Sequence, residues 1–121
     1  MKILITGATG FAGGYLLRNL SSIYGIENVH GTGRSLSKAR ILCDEGFTIK
    51  VGDLVDPEFV NSQLTSYDLI IHCAAKSSVW GSYDSFYKAN VVATKNLLEV
   101  IHGEQQLIYI STANIYFNFL N

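Results

Sequence analysis

Short apolar runs alternate with longer amphipathic segments along the whole chain. The runs are rich in β-branched and other apolar residues, and their length is that of strands rather than helices. They predict five β-strands, Lys2–Thr6, Asn28–Gly33, Phe47–Val51, Asp68–Ala75 and Gln106–Ile110. The fourth run is almost unbroken, which is typical of a strand buried on both faces of a parallel sheet.

The intervening segments predict four helices, at about 11–24, 35–44, 56–64 and 85–102. Ser35 is the expected N-cap of the second helix. Asp56 is the expected N-cap of the third, which has Pro57 at its first position, where the missing N–H costs nothing. Strands that alternate with helices through short loops form right-handed βαβ units. The pattern therefore predicts an α/β fold, a Rossmann-type doubly wound parallel sheet with strand order 3-2-1-4-5 and helices on both faces.

Three glycines, Gly7, Gly10 and Gly13, follow the first strand and open the first helix. Gly7 allows a sharp turn, Gly10 has no Cβ to keep a pyrophosphate away from the backbone, and Gly13 lets the helix pack close to the sheet. The helix N-terminus adds unpaired N–H groups and the positive end of a dipole. We therefore predict a dinucleotide site at this turn.

The glycine spacing is G-x-x-G-x-x-G rather than the commoner G-x-G-x-x-G. A P-loop is excluded, because no Gly-Lys-Ser/Thr follows the turn. Glycine-rich turns also have purely structural roles, and on the sequence alone that alternative stays open.

Two charged residues follow the second and third strands. A site for NAD usually carries Asp or Glu at the end of the second strand, where this chain has Gly33 followed by Arg34; because Arg pairs with a 2′-phosphate, NADP is favoured over NAD. Asp53 is placed to accept a hydrogen bond from the adenine amino group. The alternatives are a solvated arginine at a strand end and a plain turn with a helix cap after the third strand.

The composition excludes several classes of protein. With 121 residues, 48% hydrophobic and 16% charged, the chain is expected to form one globular domain. The net charge of −1 and the lack of a basic cluster favour neither nucleic acid nor an anionic membrane as a partner. Without a signal-peptide layout or an apolar run of membrane-spanning length, we expect a cytoplasmic protein.

The cysteines and histidines point to no metal site. Cys43 and Cys73 lack a C-x-x-C pattern and are expected to be two buried thiols. His72 lies inside the fourth apolar run and is expected to be a buried, hydrogen-bonded histidine rather than a ligand or a catalytic base.

Five segments together resemble the extended short-chain dehydrogenase/reductase family, within the NAD-dependent epimerase/dehydratase superfamily. They are TGATGFAGGYL at 6–16, GDL at 52–54, HCAA at 72–75, NVVATKNLLE at 90–99 and STANIY at 111–116. Residues 74–99 look most like the 3β-hydroxysteroid dehydrogenase branch, and the sugar-nucleotide epimerases are the rival branch.

The resemblance implies a set of cofactor contacts. The pyrophosphate would be held by the three glycines with the N–H groups of Phe11 and Ala12, and the adenine would be flanked by Asp53 and Leu54. The nicotinamide-side ribose and phosphate would be lined by Ala74, Ala75 and Lys76.

The resemblance also implies part of the catalytic machinery. Asn90 matches the helix asparagine that supports the active-site hydrogen bonds. Thr112, with Ser111 as the next candidate, matches the catalytic Ser/Thr whose hydroxyl binds the substrate oxygen during hydride transfer.

The chain departs from the family in one respect. The family's acid/base pair is Tyr-x-x-x-Lys, and none of the seven tyrosines here has a lysine four residues later. A tyrosine with a pKa of about 10 needs a nearby ammonium to act at neutral pH. We therefore expect residues 1–121 to be an NAD(P)-binding domain, truncated before the Tyr/Lys segment and the substrate domain.

These observations leave three functions open. The first is an NAD(P)-dependent oxidoreductase acting on a secondary alcohol or ketone, of which a 3β-hydroxysteroid is one candidate. The second is a non-catalytic NADP-sensing module, and the third is a nucleotide-sugar epimerase or dehydratase. The apolar fifth strand would form an exposed sheet edge, so self-association is also expected.

Overall fold

The computed structural model describes residues 1–73 and 88–110. All strand pairs in these residues are parallel, and the sheet has the order β3-β2-β1-β4-β5. The strands are β1 (Ile3–Thr6), β2 (Val29–Gly33), β3 (Thr48–Val51), β4 (Leu69–His72) and β5 (Gln106–Tyr109). This confirms the predicted sheet and its strand order.

Within the described residues, four α-helices lie between these strands: α1 (Phe11–Tyr24), α2 (Leu36–Asp44), α3 (Pro57–Gln63) and α4 (Ala93–Glu99). The predicted caps of α2 and α3 are confirmed. Ser35 Oγ accepts from Lys38 N at 3.3 Å, and Asp56 Oδ1 accepts from Glu58 N at 3.1 Å. A 3₁₀ turn covers Ile26–Asn28, and one π-helical turn, Lys88–Val92, leads directly into α4.

The long fourth helix ends earlier than its predicted limit at His102. Val100 N–H bonds to the carbonyl of Leu97, which tightens the last turn, and His102 N–H bonds to Gln105 Oε1 at 2.7 Å. Because that N–H is taken by a side chain beyond the helix, the helical ladder stops at Glu99. The predicted start of this helix, at 85–87, lies outside the described residues.

The core lies on both faces of the sheet, because successive strand residues point to opposite sides. Ile3 and Ile5 are buried with Leu17 and Leu42, from α1 and α2, on one face. On the other face the buried cluster contains Leu4, Leu54, Val60, Leu64, Tyr67, Ile70, Ala93, Leu97 and Val100. The helices thus cover both faces, as predicted.

The prediction of two buried thiols was wrong for Cys43. Its side chain is exposed on α2, whereas Cys73 is half-buried. The buried face of α2 is formed by Ala39 and Leu42, and the next residue along a helix is turned about 100° away from that face.

No helix within residues 1–73 and 88–110 has the length and apolar character needed to cross a membrane.

Candidate dinucleotide site at the carboxyl edge of the sheet

The glycine turn leads directly from β1 into α1. Gly7 has a φ of 66°, a conformation that side chains disfavour, and its carbonyl accepts from Gly10 N at 3.0 Å. Gly10 is the N-cap of α1, and its carbonyl accepts from Gly14 N at 2.9 Å. Among the described residues no side chain caps this helix. The first N–H groups of α1 are therefore left for another partner.

Gly13 lies against the turn rather than against a side chain. A Cβ at Gly13 would lie under 3.0 Å from both the carbonyl oxygen and the carbonyl carbon of Gly7. Since both are backbone atoms, the helix start can lie this close only without a side chain at this position. Gly10 has more room, because its Cβ would lie 3.4 Å from the Gly7 oxygen.

The ends of β1, β2 and β3 lie next to one another. Ala8 N donates to Thr32 O at 3.0 Å, and Gly52 N donates to Gly33 O at 3.1 Å. A Cβ on Gly33 would lie 2.7 Å from Thr9 Cγ2, so the turn after β1 is packed onto the end of β2. The fold therefore brings together the three loops on which the cofactor residues were predicted.

Arg34 is the first residue after β2 and Asp53 the second residue after β3, and both are exposed. Asp53 Oδ1 accepts from Val55 N at 3.0 Å, which orients the carboxylate. Leu54, the residue expected to flank the adenine with Asp53, is only 7% exposed and belongs to the core cluster on the α3 and α4 face. Any contact from Leu54 to a ligand would therefore come from its backbone.

A cleft lies between α1, α2 and the glycine turn, and two cations line it. Arg18 forms an ion pair with Glu45 at 3.0 Å and lies 6.0 Å from the Phe47 ring, so its charge is already engaged. Lys38 is exposed, and the sequence analysis did not identify it as a candidate cofactor residue. Its position in the first turn of α2, three residues after the Ser35 N-cap, could have indicated that it lies near the end of β2. The cleft is lined by Ala8, Thr9, Gly10, Gly14, Arg18, Lys38, Ile41 and Leu42.

The end of β4 is fixed to the end of β1 by buried polar groups. Thr6 Oγ1 lies 2.6 Å from His72 Nδ1 and accepts from Cys73 N at 2.9 Å. His72 is fully buried, and burial lowers its pKa to about 4, so it is neutral at pH 7. The prediction of a buried, hydrogen-bonded histidine is confirmed.

Asn90 lies in the π-helical turn before α4, where its carbonyl accepts from the Thr94 hydroxyl at 2.6 Å. Single π turns are frequent at functional sites. The other predicted residues of the nicotinamide half, Ala74, Ala75, Lys76, Ser111 and Thr112, lie outside the described residues.

The profile of the NAD dependent epimerase/dehydratase family matches residues 3–118. The chain belongs to this family. The predicted resemblance is thereby confirmed at the level of the family, and the 3β-hydroxysteroid dehydrogenase branch stays a prediction.

Among its relatives, the chain is 37% identical over 121 residues to a 2-alkyl-3-oxoalkanoate reductase of Stenotrophomonas maltophilia. The match covers 95% of this chain and 34% of the reductase, so the chain spans about a third of the relative's length.

Solved structures share the fold. A short-chain dehydrogenase/reductase superfamily protein from Agrobacterium tumefaciens with bound NAD matches with a TM-score of 0.77 at 22% identity, over 96% of this chain and 34% of that one. The yeast methylglyoxal/isovaleraldehyde reductase Gre2 in complex with NADPH matches with a TM-score of 0.75 at 18% identity, over 93% of this chain and 37% of that one. The structural neighbours thus include both an NAD and an NADPH complex.

Proposed function

We propose that this chain is the cofactor-binding part of an NADP(H)-dependent oxidoreductase that interconverts a secondary alcohol and a ketone. The observation that carries the proposal is the close packing of Gly13 on Gly7, which brings the uncapped start of α1 to the edge where β1, β2 and β3 end. An uncapped helix N-terminus beside adjacent strand ends is a place where parallel α/β folds bind nucleotides.

The pyrophosphate would bind at the first turn of α1. Phe11 and Ala12 are exposed residues of this turn, where backbone N–H groups have no partner within the helix and can donate to a ligand. A phosphate oxygen there would be stabilised by hydrogen bonds from the backbone and by the positive end of the helix dipole.

The preference for NADP rests on the charges beside β2. Gly33 and Arg34 stand where a carboxylate would bind the ribose hydroxyls of NAD, and Lys38 lines the adjoining cleft. The negative 2′-phosphate of NADP would be attracted by the positive side chains of Arg34 and Lys38, whereas NAD has only a neutral hydroxyl at that position.

In the reaction, the bound nicotinamide would supply or accept a hydride. Ala74, Ala75 and Lys76 are proposed to line the nicotinamide half, and Asn90 to support its hydrogen bonds. The hydroxyl of Thr112, or of Ser111 as the next candidate, would donate to the substrate oxygen and hold it. No residue of this chain is assigned the proton transfer, because the Tyr-x-x-x-Lys pattern does not occur within it.

The substrate class is proposed from similarity. The relative named for a 2-alkyl-3-oxoalkanoate supports a ketone as the oxidised substrate. The finer proposal of a 3β-hydroxysteroid-like molecule rests only on the sequence pattern at 74–99.

Titration of the purified chain with NADPH and NADH, followed by calorimetry, tests the cofactor assignment. We expect NADPH to bind more tightly, and Arg34→Ala to weaken NADPH about tenfold while changing NADH little, because a charge-assisted hydrogen bond is lost. Arg40→Ala, which removes an exposed arginine from the body of α2, is the matched control and should leave the ratio unchanged. A folded chain that binds neither dinucleotide would contradict the proposal.

A non-catalytic NADP-binding module is the second candidate, because the glycine turn and the exposed Arg34 would bind the cofactor without any catalytic residue. NADPH oxidation in the presence of a 3-oxo ester, measured on the longest natural form of the protein, separates the two functions. Tight binding without turnover would favour the module. NAD retained through purification would instead favour the epimerase or dehydratase alternative.

A further inference from the structure

Asn96 connects α4 to a loop that is distant in sequence. Its side chain is only 9% exposed, and its amide nitrogen donates to the carbonyls of Leu54 at 2.8 Å and Val55 at 3.1 Å. The neighbouring helical positions Ala93 and Leu97 are buried in the core. Core packing therefore holds α4, and with it the amide, in place under the loop.

The same loop fixes the Asp53 carboxylate. Val55 N–H donates to Asp53 Oδ1 at 3.0 Å, and Asp56 N–H donates to the Asp53 carbonyl at 3.0 Å. The Val55 carbonyl thus accepts from the Asn96 amide, and the Val55 N–H donates to the Asp53 carboxylate. A continuous series of hydrogen bonds runs from the buried amide to the exposed carboxylate.

We propose that Asn96 is a positioning residue of the adenine end of the dinucleotide site, acting through the loop 53–56 on the Asp53 carboxylate. The inference rests on the proposed function, because it requires that a dinucleotide binds at this edge. With Oδ1 fixed by the loop, the carboxylate has further lone pairs to accept a hydrogen bond from the adenine 6-amino group. Asn96 therefore supports recognition of the base without touching it.

The analogue of NADPH in which hypoxanthine replaces adenine probes this contact, because it reverses the hydrogen bonding of that edge of the base: the 6-position becomes an acceptor and N1 becomes a donor. Its 6-oxo group accepts hydrogen bonds, whereas the adenine 6-amino group donates them, and a carboxylate oxygen can only accept. We expect the wild-type chain to bind NADPH about tenfold more tightly than the hypoxanthine analogue, because the analogue loses one hydrogen bond to a charged group.

The test compares the wild type with Asn96→Asp. The quantity measured is the dissociation constant of the hypoxanthine analogue divided by that of NADPH. The substitution keeps the size of the side chain but replaces the donor with a carboxylate that faces two carbonyl oxygens. We expect the ratio to fall to about one, since the oriented carboxylate is lost. Asn19→Asp is the matched control: Asn19 Nδ2 also donates to a backbone carbonyl, that of Tyr15 at 2.8 Å, but on the exposed face of α1. Its ratio should equal that of the wild type.

A double variant shows whether Asn96 acts through Asp53. In an Asp53→Ala background the preference is already lost, so Asn96→Asp should change the ratio no further. If Asn96→Asp does not fold, as judged by circular dichroism, Asn96→Ser is measured with the same expectations.

The possible failures are distinct. A wild-type ratio retained in the folded Asn96 variant would overturn the inference and leave the proposed function standing. A wild-type chain that binds both dinucleotides equally would overturn the role of Asp53 and, with it, that of Asn96. A folded wild-type chain that binds neither would overturn the proposed function itself.

Discussion

The Gly7 carbonyl occupies the space that a side chain on Gly13 would need, with less than 3.0 Å between its oxygen and the Cβ position. Gly7 is itself held at a φ of 66°. The turn is therefore constrained by two glycines, one through its backbone conformation and the other through its lack of a side chain.

The first prediction concerns Gly13→Ala. The added methyl group would collide with backbone atoms that cannot move independently of the turn, so we expect about 1–3 kcal/mol of destabilisation and loss of dinucleotide binding. Gly14→Ala is the control, because its Cβ would lie 3.3 Å from Ala8 O, a distance that a small shift relieves. Urea unfolding and NADPH titration measure both effects. Equal behaviour of the two variants would show that the turn is not constrained in this way.

The second prediction concerns stability against pH. Burial lowers the pKa of His72 to about 4, below the value of 6.5 for an exposed histidine, so the unfolded state binds the proton more readily than the folded state. The stabilisation from neutral His72 is complete above pH 6.5 and is lost as the pH falls through the folded pKa. Between pH 7 and pH 4 the loss is about 3 kcal/mol.

The comparison with His72→Gln isolates this contribution, because glutamine does not titrate and can still bond to Thr6. The stability advantage of the wild type over the variant should shrink by about 3 kcal/mol from pH 7 to pH 4 in urea unfolding. The NMR shift of the His72 ring gives the folded pKa directly. A folded pKa near 6.5 would contradict the prediction.

The third prediction concerns Thr6, whose hydroxyl joins the ends of β1 and β4. Thr6→Val keeps the shape of the side chain but leaves the partly buried Cys73 N–H without its acceptor, the Thr6 hydroxyl at 2.9 Å, and should cost about 1–3 kcal/mol. Thr6→Ser keeps the hydroxyl and loses one methyl group, so its cost should be the smaller of the two. The opposite order in thermal unfolding would mean that packing, not the hydrogen bond, makes Thr6 important.

The fourth prediction concerns a histidine–tyrosine pair at the other end of the sheet. His30 Nε2 lies 3.2 Å from the carbonyl of Glu27, which can only accept, so Nε2 carries the proton and Nδ1 accepts from the Tyr67 hydroxyl at 2.7 Å. Tyr67→Phe removes that donor and should cost about 1 kcal/mol at pH 7. Burial lowers the pKa of His30, so the neutral form that accepts this bond is favoured at pH 7.

A double-variant cycle with His30→Ala measures the pair directly in urea unfolding. The sum of the losses in unfolding free energy of the two single variants should exceed the loss of the double variant, because both substitutions remove the same hydrogen bond. Additive costs would show that the two side chains do not interact.

The fifth prediction concerns the edge of the sheet. β5 is the outer strand of the sheet formed by the described residues, and Ile108 and Tyr109 are 46% and 45% exposed. An apolar edge strand pairs readily with other chains, so we expect concentration-dependent association that Ile108→Lys reduces. Sedimentation of the two proteins over a concentration series measures it. A wild-type chain that remains monomeric throughout would rule the association out.

Several features could be predicted from the sequence because their signals are local. Strand runs, the caps Ser35 and Asp56, and the glycine turn each depend on a few neighbouring residues, and all lie in the structure where the pattern predicts them. The strand order followed as well, since right-handed βαβ connections allow few arrangements of such a chain.

The sequence by itself thus determined the elements, their order and the edge at which a dinucleotide is expected. Only the tertiary structure decided which distant residues touch: Thr6 meets His72 because β1 and β4 pair in that register, and Asn96 meets a loop more than 40 residues away. It also decided that Cys43 is exposed and Leu54 buried. The physical reason is that caps and periodicity act within a few residues, whereas register and helix packing join positions that no local pattern connects.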